Sequence, residues 1–125
     1  MYSSQVLDHF QNPRHAGQLE NATAIAEQQN PACGDVLRLA VRVEAGRVAE
    51  VRFRAKGCVP AIACGSRLAE MMHDRTRAEL AALRREELVE SLGGLPPASQ
   101  HAGHLALDTL AELLRALPSD WPRTS

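Results

Sequence analysis

Leu37-Arg38-Leu39-Ala40-Val41-Arg42-Val43-Glu44, then Ala45-Gly46, then Ala49-Glu50-Val51-Arg52-Phe53-Arg54-Ala55-Lys56 make the most regular pattern in the chain. Leu37, Leu39, Val41 and Val43 alternate with Arg38, Ala40, Arg42 and Glu44. Past the glycine, Ala49, Val51, Phe53 and Ala55 alternate with Glu50, Arg52, Arg54 and Lys56. Successive strand side chains point to opposite faces, so this period of two on both sides of a glycine-containing turn reads as an antiparallel hairpin. One hairpin face is apolar; the other is charged and wet. A shorter alternation from Thr23 to Gln29 supplies a candidate edge strand.

Outside this region the period becomes helical. Val6, Leu7 and Phe10 share one helical face until Asn12-Pro13, where proline stops the helix. From Pro60 onward, Ile62, Leu68, Ala69, Met71 and Met72 form one apolar stripe. Thr76-Arg77-Ala78-Glu79 has the form of a capping box, and Glu86 to Leu92 reads as a short helix closed by Gly93. Leu95-Pro96-Pro97 is a stiff extended link. Ser99 is placed to cap a last helix, with Leu107, Leu110, Leu114 and Leu117 as its core stripe. The fold class is therefore α+β: a small antiparallel sheet of about three strands, packed on one face by several helices, forming a single domain over residues 1–125.

Composition narrows the function. Fourteen basic residues against fifteen acidic ones leave a net charge of -1, which argues against a general nucleic-acid binder. No apolar run approaches the roughly 20 residues of a membrane span. The opening Met1-Tyr2-Ser3-Ser4-Gln5 lacks the basic-then-apolar order of a secretory leader, so a cytoplasmic location is expected. Three cysteines do not read as a disulfide framework; in a reducing compartment they are ligands, nucleophiles or buried small side chains.

Cys33-Gly34-Asp35 stands just before the hairpin and Gly57-Cys58-Val59-Pro60 just after it. A hairpin brings the start of its first strand beside the end of its second, so Cys33 and Cys58 are expected at one end of the sheet. His101, at the start of the last helix, is placed to face the same end. Two thiols, a carboxylate and an imidazole suit zinc or an iron–sulfur cluster, and the hard carboxylate weakens the hold on soft cargo. His104 shares a helical face with His101, as a further ligand or as a solvated histidine. Cys64 lies one helical turn beyond Pro60, either a buried small residue or a substitute thiol. His9, His15 and His73 read as surface or packing residues. The row of Arg38, Arg42, Arg52, Arg54 and Lys56 is a solvated sheet face or a docking surface for a partner.

The chain resembles the iron–sulfur cluster assembly scaffolds of the IscU type, equivalent to the N-terminal domain of NifU. The resemblance rests on Val6-Leu7-Asp8-His9-Phe10-Gln11-Asn12-Pro13-Arg14, Pro31-Ala32-Cys33-Gly34-Asp35-Val36, Gly57-Cys58, Ala61-Ile62-Ala63, and Leu95-Pro96-Pro97 followed by His101. His101 and the lack of a long insertion between the middle helices favour the IscU branch over the SufU branch. The resemblance implies a non-enzymatic scaffold whose Cys33, Asp35, Cys58 and His101 hold iron or a 2Fe–2S cluster, with zinc in the cluster-free form. It implies as partners a cysteine desulfurase, an iron donor such as a frataxin-like protein, and recipient apo iron–sulfur proteins. Leu95-Pro96-Pro97 resembles the loop read by a dedicated Hsp70-type chaperone, although Ala98-Ser99 follow where the family has a lysine. The family's third cysteine is replaced by Ala102, which can neither ligate metal nor accept sulfur. Two alternatives follow: a degenerate paralogue with a structural or regulatory zinc site, or a persulfide-carrying sulfur-transfer protein using Cys33, Cys58 or Cys64.

Overall fold

The computed structural model describes residues 2–31 and 34–118. Its sheet is built from β1 (Ala24–Gln29), β2 (Val36–Glu44) and β3 (Arg47–Lys56), antiparallel and in that spatial order. The β2–β3 hairpin closes through Ala45 and Gly46, both at positive φ (51° and 77°), the twist-matched two-residue turn that Glu44 opposite Arg47 requires. Around the sheet are α1 (Ser4–Gln11), α2 (Val59–Met72), α3 (Arg77–Ala82), α4 (Arg85–Ser91) and α5 (Gln100–Ala116). The α+β architecture expected from the alternation is the one observed. No helix among the described residues is long and apolar enough to cross a membrane.

Leu37, Leu39, Val41, Val51 and Phe53 are buried under α2 and α5, as the alternation requires. The inward series slips once. Arg42 pairs with Glu50 but Val43 with Val48, so a bulge at Ala49 puts Val48 into the core instead of Ala49. The bulge exchanges a methyl for the larger isopropyl group in the core. At helix starts the capping reading holds for α3, where the Thr76 hydroxyl accepts the Glu79 N–H (3.2 Å) and Glu79 accepts the Thr76 N–H (2.9 Å).

Three helical expectations need correction. The buried face of α1 carries Val6 and His9, while Leu7 and Phe10 are 41% and 37% exposed. The reason is polar. His9 Nδ1 lies 2.7 Å from Ser66 Oγ of α2, and Ser66 also accepts the Arg14 backbone N–H (2.8 Å), so a hydrogen bond orients α1. The core face of α5 runs through Leu105, Ala106, Thr109, Leu110 and Leu113, with Leu107 and Leu114 only partly buried. Ser99 does not cap α5 with its side chain; Pro97–Ser99 form a 3-10 turn running into the helix. Of the Leu-Pro-Pro link, Pro96 keeps the extended conformation expected (φ −56°, ψ 152°), while Pro97 begins the 3-10 turn.

Candidate metal centre

β2 begins at Val36, opposite Lys56 at the end of β3, so the residues just outside that pair meet. Asp35 on one side and Cys58 on the other do so. Asp35 is buried; its Oδ1 accepts the Cys58 backbone N–H (3.3 Å) and its Oδ2 accepts the Cys58 Sγ–H (2.9 Å). Gly57 makes this approach possible. A Cβ there would stand 2.0 Å from Asp35 Oδ1, and its φ of +139° is one that L side chains rarely adopt. Cys58 is the N-cap residue of α2, but its side chain makes no capping bond, which leaves the sulfur to the carboxylate.

The third donor arrives from α5. Gln100, the first residue of that helix, donates to the Leu95 carbonyl (2.8 Å) and accepts from Arg85 (3.1 Å), fixing where the helix begins. His101 then sets its Nε2 3.9 Å from Cys58 Sγ and 3.5 Å from Asp35 Oδ2. The three donor atoms all lie within 4.8 Å of one another. A tetrahedral zinc with ligands at its usual bond lengths separates ligand atoms by about 3.3–3.8 Å. Separations of 2.9, 3.5 and 3.9 Å therefore need only small adjustment once the thiol proton between Cys58 and Asp35 is replaced by a metal. α2 and α5 both begin here, and the partial positive charge of helix N-termini favours anionic donors.

Three of the four ligands expected from the sequence thus converge, and Cys33 lies outside the described residues. Cys64 takes the plain role of a buried core residue. It is fully buried, burial pushes its thiol up to about 12, and it is not in the donor cluster. It does not replace the missing thiol. Ala102 is buried beside His101. His104 is exposed and also stands outside the cluster, though with His101 it borders a neighbouring cavity of about 200 Å³. His9 is a packing residue, and His15 and His73 stack with ring centroids 5.6 Å apart. The residue that sequence reasoning undervalued is Gly57. A glycine immediately before a candidate ligand was visible in the sequence, but how closely the Asp35 carboxylate packs against its backbone was not.

The chain is similar to known proteins over most of its length. The family model described as "NifU-like N terminal domain" matches residues 1–119. An iron–sulfur cluster assembly scaffold protein IscU of Archaeoglobus fulgidus is 40% identical over 110 residues, 88% of this chain and 72% of that protein. One from Azotobacter vinelandii is 36% identical over 118 residues, 91% of each chain. Among solved structures, a nitrogen-fixing NifU-like protein (N-terminal) from Brucella abortus superposes with a TM-score of 0.73 at 21% identity. It covers 90% of this chain and 91% of that one, and shares the fold.

Proposed function

Because the chain belongs to the NifU-like N-terminal domain family, we propose that it is an iron–sulfur cluster assembly scaffold that carries iron or a 2Fe–2S cluster as its cargo. The observation that carries this reading is the convergence of Asp35, Cys58 and His101 from three separate stretches onto one ion-sized spot. Cys33, one residue from Gly34 and two from Asp35 in sequence, is the fourth ligand in this proposal. The site holds cargo through a mixed set of donors. Thiolate sulfur suits iron, and the harder carboxylate oxygen is the weaker hold from which a cluster can leave. The chain would not be an enzyme: a cysteine desulfurase supplies sulfur, an iron donor supplies metal, and apo iron–sulfur proteins take the product in the cytoplasm. An Hsp70-type chaperone would have only the short extended piece at Pro96 to read.

Anaerobic reconstitution with ferrous iron and sulfide tests the proposal. Visible cluster absorbance is expected in the wild-type chain and is abolished in Cys58→Ser; a wild-type protein that stays colourless overturns the reading.

A second reading, that the site keeps zinc for stability or for partner binding, is favoured by one specific observation. Ala102 offers no donor and Cys64 is sealed in the core, leaving one thiol fewer than the family pattern supplies. Zinc in a structural site contributes folding energy, so a chelator then lowers the melting temperature sharply. A melt unchanged after verified metal removal rules this out. Sulfur transfer by persulfide has the half-buried Cys58 as its accessible described thiol; mass spectrometry after incubation with a desulfurase and cysteine tests it.

A further inference from the structure

The outer face of the sheet, away from α2 and α5, is not simply a solvated surface. The chain that leaves the β3 edge, where Gly17 N–H donates to the Phe53 carbonyl (3.0 Å), reaches β2 again at Thr23, whose N–H donates to the Val41 carbonyl (2.7 Å). On the way Gly17, Gln18 and Leu19 roof a cavity of about 130 Å³. Ala40, on the face opposite the helices, is only 6% exposed for this reason. The rest of the lining is Ile25, the exposed Arg38 and Arg54, and the half-buried Arg52.

Those arginines are placed against their own electrostatics. Arg38 stands directly opposite Arg54 across the β2–β3 ladder, and Arg52 is opposite Ala40. Like charges facing each other across strands repel. Arg52 shares Glu50 with Arg42 (3.3 and 2.6 Å). Among the described residues neither Arg38 nor Arg54 has a carboxylate within ion-pair distance, although Glu27 occupies the cross-strand position beside Arg38. Arg52 already gives one terminal N–H to the Val51 carbonyl (2.8 Å) and another to Glu50, so the forks of Arg38 and Arg54 lead. Around a space of this size they match one small tetrahedral oxyanion, which guanidinium groups bind in bidentate fashion.

We propose that this roofed arginine cavity is an oxyanion-binding site for a phosphoryl group, held by Arg38, Arg52 and Arg54 beneath the Gly17–Leu19 strap. It stands independently of the cargo site and needs no metal. The phosphoryl group comes either from inorganic phosphate or from the terminal phosphate of a nucleotide such as ADP.

Amide NMR of the full chain, titrated with inorganic phosphate and separately with ADP, tests the site, with sodium chloride at matched ionic strength as the screening control. Saturable shifts at Gly17, Gln18 and Leu19 are expected with at least one of the two, and Arg54→Gln weakens the binding about tenfold or more. Tighter binding of ADP marks a nucleotide as the source; equal or weaker binding marks free phosphate. In chloride buffer Arg54→Gln is expected to melt no lower than wild type, because it removes one of two facing like charges. Should that variant not fold, Arg38→Gln serves the same comparison. Shifts reproduced by chloride alone, no saturation with either probe, or undiminished binding in a folded arginine variant overturn the proposal.

Discussion

Two clusters in this molecule contain nearly the same groups and do different things. At the α1–α2 contact, His9 lies 2.7 Å from the Ser66 hydroxyl and 3.3 Å from the Glu70 carboxylate. At the sheet end, His101 lies 3.9 Å from the Cys58 thiol and 3.5 Å from the Asp35 carboxylate. Each is an imidazole, a chalcogen hydride and a carboxylate, the first set drawn from two helices and the second from three separate stretches. The first is closed: Ser66 is fully buried, and its oxygen also takes the Arg14 N–H, so every group has a protein partner. The second stays open, with the His101 side chain 35% exposed and a soft sulfur in the oxygen's place. A cluster whose serine is sealed in the core fixes helices to one another. One that is open at its histidine and carries sulfur is available to an ion.

Separating the two clusters by mutation gives the largest expected effect. His101→Ala is predicted to weaken zinc binding by more than about a hundredfold, beyond what loss of an outer-shell partner usually costs, while leaving the metal-free melting temperature unmoved. Calorimetric zinc titration and a chelated thermal melt check the two halves. Gly57→Ala drives its new methyl into the Asp35 carboxylate, so zinc affinity falls about 10–100-fold and the strained backbone destabilises the metal-free fold by about 1–3 kcal/mol. The same two measurements read it, and an unchanged zinc affinity would detach Asp35 from the site.

Ser66→Ala should do the reverse of His101→Ala. It leaves the Arg14 N–H and His9 Nδ1 without their shared partner, at a cost of about 1–3 kcal/mol in urea unfolding, with zinc affinity unchanged. A pH series sharpens the contrast from the histidine side. Burial, with Arg14 nearby, holds the His9 imidazole below its ordinary range; burial, with His73 nearby, does the same to His15. A group that is neutral when folded but takes a proton when unfolded makes the unfolded state bind more protons. Stability is then full above the ordinary imidazole value near 6.5 and falls as the pH drops below it. Urea unfolding at pH 7.5 and 5.5 is expected to show lower stability at the acid end, and His9→Gln reduces that difference. The smallest expected effect is at Cys64. Cys64→Ala removes a buried sulfur from the core, lowers stability by about 1 kcal/mol and leaves zinc affinity within about twofold.

How far the sequence was legible follows from what each pattern depends on. The β2–β3 alternation depends only on which face meets the helices, and from it Cys33 and Cys58 are expected at one sheet end. Cys33 lies outside the described residues, while Asp35, two positions on, does meet Cys58 there. The turn chemistry of Thr76–Glu79 is equally local. What could not be read depended on a partner element. Hydrophobicity put Leu7 and Phe10 inward, but the α1 orientation is decided by a hydrogen bond from His9 to a serine 57 positions away. Nothing in the alternation forecast the Ala49 bulge, because inserting one residue changes neither strand's composition. The arginine row is wet as read, with Arg38, Arg54 and Lys56 exposed; the crossing of residues 17–19 over it leaves no trace in the strands beneath. Cys64 and Cys58 look alike as letters, and burial alone separates them.

The central claim is that Cys58 sulfur and His101 nitrogen meet on one ion together with a carboxylate oxygen. X-ray absorption at the zinc edge of the metal-loaded full chain measures that shell directly. The account predicts sulfur scattering at about 2.3 Å alongside nitrogen and oxygen at about 2.0–2.2 Å, with sulfur reduced in Cys58→Ser. A shell of nitrogen and oxygen alone, or a spectrum that Cys58→Ser leaves unchanged, would contradict it.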